Sequence, residues 1–276
     1  MGILWKKPWE RPLQQRISAM AVWIGTSGWQ YRHWDASFYP REVPKVGQLR
    51  FYAERFRVVE VNATFYKLPG PGVLGSWAAQ APEDFVFVVK ASKFLTHFKK
   101  LKDPEEPVER LMSRARELGP KMGPILLQLP PNMHRNEERL DAALALLAPQ
   151  ARVAVEFRHD SWYAESVREV LARHGAALCL ADRGGLITPE WRTADWGYLR
   201  FHGGTASPPG CYTPEVLADW AGRAAELWGA AADIYAFFNN DWYRCALRDA
   251  GWFARAAEAR GLRTTRVVPP ETIDIG

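Results

Sequence analysis

Three short stretches of the chain set charged or polar residues two apart: Glu60 and Asn62 in VVEVN, Glu156 and Arg158 in VAVEFRH, Arg200 and His202 in YLRFH. Strand side chains alternate between faces, so each pair shares one face, opposite the apolar Val59 and Val61, Val155 and Phe157, and Leu199 and Phe201. Lys90, Gln128, Asp182 and Asn239 or Asn240 hold corresponding places after other β-rich runs. The constellation contains the carboxylates Glu60, Glu156 and Asp182, the cations Lys90, Arg158 and Arg200, and the imidazole of His202. Its first chemistry is general acid and base catalysis by Glu60 and Glu156. Arg158 or Lys90 would keep one carboxylate ionised while apolar walls raise the pKa of the other. His202 would shuttle a proton, Asp182 would orient a neighbour, and Arg158, Arg200 and Lys90 would hold an anionic substrate. Glycoside hydrolysis is the sharpest version. A second chemistry makes Glu60, Glu156, Asp182 and His202 ligands of a divalent metal in a phosphodiesterase or isomerase, against competition from the interleaved cations. No cofactor is otherwise expected. The plain alternative is a self-satisfied ion-pair network that plugs the fold and does nothing else.

The elements that must position these residues are regular. Eight β-rich runs, VWIGT (22–26), VVEVN (58–62), FVFVVK (85–90), ILLQL (125–129), VAVEF (153–157), ALCLA (177–181), YLRFH (198–202) and IYAFF (234–238), recur along the chain. They start about 30 residues apart, the length of one βα unit. Amphipathic patterns fill seven gaps, at 46–56, 72–79, 105–118, 136–148, 161–174, 214–228 and 246–260. The sixth gap, RGGLITPEWRTADWG, is broken by Gly and Pro. This predicts an α/β fold: a single (β/α)8 TIM-like barrel over 21–263 with a degenerate sixth helix. A flexible N-terminal arm (1–20) precedes it, and a C-terminal tail (264–276) lies across the surface or is mobile. A six-stranded open sheet is the structural alternative. Polar strand ends then converge on the C-terminal face, where barrel enzymes keep their sites.

Composition narrows the class. The 276 residues are 47% apolar and 24% charged, which excludes fibrous and disordered chains. A net charge of +5 permits nucleic acid as a partner without requiring it. The run KASKFLTHFKKLK, Lys90 to Lys102, is placed to grip phosphates, and the loop GWQYRHWDASFYP offers Trp29, Tyr31, Trp34, Phe38 and Tyr39 for stacking. These two features support a third reading, a nucleic-acid or small-ligand binding protein without chemistry; the plainer reading is a solvated charge run and loop packing. Cys179, Cys211 and Cys245 are odd in number, far apart and outside any CxxC spacing, which argues against both a disulfide framework and a zinc site and for a reducing cytoplasm. No secretory signal or membrane span is legible, and Met20 offers an alternative translation start before the first run. Gly70, Gly72 and Gly75 match GxGxxG formally, but Pro71 interrupts them and no strand immediately precedes, so they read as a turn and helix start.

The stretches IGTSGWQYRHW, VEVNATFYKLP, FVVKASKFLTH, LLQLPPN, VEFRHDSWY, CLAD, LRFHG and FFNND resemble, in order and spacing, the DUF72 or YecE-like family. The resemblance runs from about Val22 to Arg260 and implies a TIM-like barrel; it brings no established activity. The same motifs contain Trp29, Asn62, Tyr66, His97, Gln128, Asn240 and Asp241, which complete the expected substrate-binding set. Two departures stand out. Where the family has a YxGxYS-like segment this chain reads SPPGCYTPE, keeping Gly210 and Tyr212 after Pro208 and Pro209, and Asp249 stands where asparagine is common.

Overall fold

A computed structural model describes residues 20–183 and 188–275. The predicted arm at 1–20 therefore falls, but for Met20, outside the described residues. Eight parallel strands form the sheet: β1 Val22–Thr26, β2 Val58–Val61, β3 Val86–Lys90, β4 Met122–Gln128, β5 Val153–Glu156, β6 Ala177–Asp182, β7 Gly197–Phe201 and β8 Ile234–Phe238. Their order, β1-β8-β7-β6-β5-β4-β3-β2, is that of a barrel opened between β1 and β2, not of a six-stranded sheet. Outside lie α1 Gln48–Arg55, α2 Val73–Gln80, α3 Glu105–Ala115, α4 Glu137–Leu147, α5 Glu165–Arg173, α6 Pro214–Trp228 and α7 Cys245–Ala259, each within or overlapping a predicted pattern. The described part of the crossover from β6 to β7 has no helix, as its Gly and Pro content predicts.

Local chemistry starts these helices. Thr213 accepts from the Val216 N–H with Pro214 at the first helical position of α6, and Asn136 accepts from the Arg139 N–H at α4. Gly72, at φ 82°, opens α2, so the formal GxGxxG is a turn as read. Period-two alternation then divides two cores. Val59, Val61, Val155, Leu178 and Leu199 face the helices, while Val58, Val88, Leu126, Ala154, Cys179 and Tyr198 fill the barrel. The inward parity of Val58, Ala154 and Tyr198 carries Glu60, Glu156 and Arg200 inward two residues later.

The barrel closes without a ladder between β1 and β2. Gly25 is required there, because a Cβ would stand 2.2 Å from the Val58 carbonyl oxygen. Three β1 amides on this side find other acceptors: Val22 N–H bonds Arg263 O (2.8 Å), Ile24 N–H bonds Thr265 Oγ1 (3.1 Å) and Thr26 N–H bonds the Tyr52 hydroxyl (3.0 Å). That hydroxyl also reaches the Val58 carbonyl of β2 at 3.2 Å, so one side chain spans the seam. The start of the expected surface tail is thus tied to β1. Tyr52→Phe keeps the ring stacked on Phe56 and strands the buried Thr26 amide. A destabilisation of about 1–3 kcal/mol is expected from urea midpoints, and no shift would deny the hydroxyl this role.

The cysteine expectation is corrected. Cys211 and Cys245 form a disulfide with Cα atoms 5.0 Å apart, leaving only Cys179 free and buried in the barrel. The loop after β7 and the start of α7 are neighbours because β7 and β8 are, a proximity that a separation of 34 residues conceals. The cysteine argument for a reducing compartment falls with it. Asp249 reinforces the same junction, accepting from the Tyr212 amide (2.9 Å) and Asn240 Nδ2 (2.7 Å), so the two departures from the family pattern touch one another. No described helix is long and apolar enough to cross a membrane.

Candidate functional site

Arg200 is the centre of a buried cluster at the C-terminal end of the barrel. From β7 it donates through Nη1 to Glu156 Oε2 on β5 (2.5 Å) and through Nη2 to Glu60 Oε1 on β2 (2.7 Å). All three side chains are at most 1% exposed, so neither carboxylate meets solvent directly. Glu60 also accepts from Ser27 Oγ (2.8 Å) and the Tyr198 hydroxyl (2.6 Å), and Glu156 Oε1 from Arg158 Nε (2.9 Å). Burial pushes both carboxyls up. Arg200 opposes it, helped by Lys90 and Tyr198 at Glu60 and by His202 and Arg158 at Glu156, and both end below the ordinary range, Glu156 far below. Two ionised carboxylates held on one guanidinium are a poor acid and base pair, because catalysis of that kind needs their pKa values driven apart.

The groups above the cluster are cationic or neutral. Arg158 is 24% exposed beyond its bond to Glu156. His202 Nδ1 faces Asn239 Nδ2 at 3.1 Å. With the amide donating, the neutral ring carries its proton on Nε2, which stands 3.5 Å from Glu156 Oε1, too far for a well-formed bond. Burial, then Arg200, hold the His202 pKa below its ordinary value despite Glu156, so the ring is neutral at pH 7. Lys90, at the end of β3, is 7% exposed. Its ammonium lies over the Phe65 ring, 4.3 Å from the centroid, and has no hydrogen-bonding or ion-pair partner among the described residues. Burial first, and Arg200 second, bring its pKa down to about 8. His97 packs edge-on against Phe65, with Nε2 3.5 Å from Gln128 Nε2. Burial and the nearby Lys90 and Lys93 lower its pKa to about 4. Asn62 closes the floor by donating to the Ser27 carbonyl at 3.0 Å.

Other expected site residues lie elsewhere. Asp182 follows the inward Cys179 and Ala181 by one step of parity, so it points outward and accepts from Trp220 Nε1 on α6 at 3.2 Å. Asn240 serves the Gly210 and Asp249 junction. Asp241 accepts from Trp34 Nε1 (2.8 Å) beside His33 (2.7 Å), and burial raises its carboxyl to about 8 against the Trp34 bond. Trp29 is buried edge-on against Trp77, and Trp34, Phe38 and Tyr39 are packed in the core, so the aromatic loop is mainly loop packing. Tyr66 is 78% exposed on the barrel's shoulder. Glu60, Glu156, Asp182 and His202 do not fit a metal: the two glutamates are turned to arginines, Asp182 is on the other face, and no metal-holding group of His, Cys, Asp and Glu occurs among the described residues. Sequence reasoning missed Tyr198 and Ser27. Tyr198 was reachable, since it stands two residues before Arg200 on the same face; Ser27, just past β1, carried no periodic signal.

A nearly closed ring of parallel strands with its ionised residues at the C-terminal strand ends defines a TIM-like barrel, the class whose sites lie on that face. Solved structures agree: a DUF72 family protein from Thermotoga maritima matches with TM-score 0.71 and 29% identity over 86% of this chain and 99% of that one, and another from Enterococcus faecalis with TM-score 0.70 and 18% identity over 86% and 95%. SacUVDE, at TM-score 0.50 and 9% identity over 88% of this chain and 99% of its own, shares the fold alone. The chain belongs to the family described as "Protein of unknown function DUF72", whose model matches residues 23–272. Among curated relatives, the UPF0759 protein YunF of Bacillus subtilis is 26% identical over 254 residues, covering 80% of this chain and 89% of its own length. YecE of Escherichia coli K12 is 29% identical over 155 residues, covering 56% and 54%.

Proposed function

We propose that the protein is an enzyme acting on a small anionic substrate, phosphorylated or sugar- or nucleotide-like, bound at the C-terminal mouth of the barrel. One observation carries this reading: Glu60 and Glu156 are already met by Arg200 and Arg158, and Lys90 remains as a surplus, nearly buried cation without an acceptor among the described residues. A buried unpaired ion is costly, and an anionic ligand is the partner that relieves the cost. In this reading the proton-exchanging role passes from the carboxylates to Lys90, whose pKa near 8 suits exchange near neutral pH. Arg158 clamps the anion, neutral His202 offers Nε2–H, and ionised Glu60 and Glu156 hold Arg200 in place.

Thermal denaturation with inorganic phosphate, phosphorylated sugars and nucleotides at constant ionic strength tests the reading. At least one class is expected to raise Tm saturably at pH 7, with the effect fading above pH 8 as Lys90 loses its charge. Lys90→Met should abolish it, and Arg158→Gln should weaken binding roughly ten-fold or more, the scale of a lost charge-assisted hydrogen bond. If no anion stabilises the protein, or Lys90→Met responds like wild type, the reading fails. Once a turnover is found, its insensitivity to chelator separates this reading from the metal-assisted alternative.

A further inference from the structure

Beside the mouth lies a cavity of about 490 Å³ between the turn after β2 and the segment after β3. Its lining is unusual for a monomer surface. Tyr66, Phe94 and Phe98 are 78%, 44% and 70% exposed, whereas most large apolar side chains of this chain are buried. Clustered exposed rings mark a surface that meets something. The cations Lys67, Lys93 and Arg110 stand among them, none with a carboxylate partner among the described residues, and no acidic residue lines the cavity. Lys93 Nζ lies over the Phe98 ring, 5.2 Å from its centroid, so ring and charge form one unit.

We infer that this shoulder cavity binds single-stranded nucleic acid, with bases stacked on the Tyr66, Phe94 and Phe98 rings and phosphates on Lys67, Lys93 and Arg110. The chemistry of the lining selects this occupant. An acidic peptide would satisfy the cations and leave three rings wet; an apolar helix would cover the rings and strand three cations. A polymer alternating flat aromatic faces with single negative charges satisfies both sets. Three rings exceed what one nucleotide needs, which favours a strand over a free nucleotide. Lys99, Lys100 and Lys102 follow Phe98 in the sequence outside the lining itself; Lys99 pairs with Asp103 at 3.4 Å and Lys100 reaches the Asn132 carbonyl at 2.9 Å. Phe65 lines the cavity and also carries the Lys90 ammonium on its ring, so a bound strand would run up to the mouth. The inference goes beyond the anion reading of the mouth and does not rest on it.

Fluorescence anisotropy of a labelled oligothymidylate of about 15 nucleotides decides it. Binding is expected to weaken with salt, with a log–log slope of about −2 for three phosphate contacts on a single strand. Tyr66→Ala and Phe98→Ala remove exposed rings, so Tm should be unchanged while affinity falls roughly 5-fold or more for each. The triple variant Lys67→Ala, Lys93→Ala, Arg110→Ala should flatten the salt slope. Absence of binding at low salt would overturn the inference. So would ring variants that bind like wild type, or thymidine monophosphate binding as tightly as the oligomer.

Discussion

Arg200→Met is expected to destabilise the protein by about 3–5 kcal/mol at pH 7, because it leaves Glu60 and Glu156 buried without the cation between them. The pH dependence identifies the cause. In the wild type both carboxyls have folded-state pKa values below their unfolded ones, so their contribution is complete above an unfolded pKa near 4.5 and is lost as pH falls through the folded values. In Arg200→Met, burial acts with less opposition and the carboxyl pKa values rise, Glu156 retaining Arg158 and Glu60 the hydroxyls of Ser27 and Tyr198. The deficit should therefore be greatest at neutral pH and shrink as pH falls towards 5 and a carboxyl takes up a proton. Urea unfolding of both proteins from pH 5 to pH 8 reads this directly. A deficit independent of pH would trace the loss to packing alone. Adding Glu60→Gln and Glu156→Gln to Arg200→Met should recover much of the lost stability, since the stranded charges go with the cation.

This cluster also explains which parts of the molecule were legible in sequence. Glu60, Glu156 and Arg200 were found because each stands on a strand whose apolar residues occupy the opposite parity, and a barrel must bring inward residues of neighbouring strands together. Their partners within the cluster were not legible, since several pairings satisfy the same alternation and only the Arg200 geometry selects one. Asp182 was misplaced for a related reason: ALCLA is apolar on both faces, so it carries no parity, and only the inward Cys179 and Ala181 reveal that the next residue points out. The disulfide and the Tyr52 bridge escaped because each joins segments that only the folded sheet brings together, the disulfide where β7 pairs with β8 and the tyrosine across the seam between β1 and β2. The aromatic loop was ambiguous for want of burial: the same five rings serve as a stacking surface or as packing, and here Trp34 and Tyr39 lie in the core, whereas Tyr66, Phe94 and Phe98 are exposed on the shoulder.

Lys90→Met is expected to stabilise the protein at pH 7 while removing its affinity for anions. The folded-state pKa of Lys90 is about 8 against an ordinary value of 10.5, so the fold disfavours the charged ammonium. The difference corresponds to on the order of 3 kcal/mol. The sign follows from linkage. Below pH 8 the lysine is protonated in both states and the full cost is present; between pH 8 and 10.5 the folded state sheds its proton first and the cost fades. The stability advantage of Lys90→Met should therefore be largest at and below pH 7 and shrink towards pH 10.5, with the methionine keeping an apolar contact on Phe65. A network built only for stability predicts the reverse. If Lys90 served Glu60 and Glu156 as a needed counter-ion, Lys90→Met would unfold more easily than wild type at pH 7. Paired melts at pH 7 and pH 10 distinguish the two, each protein being compared with the other at the same pH. A side chain that costs stability and yet carries the binding is what a site requires, whereas the ions beneath it are matched and hold the barrel mouth in shape.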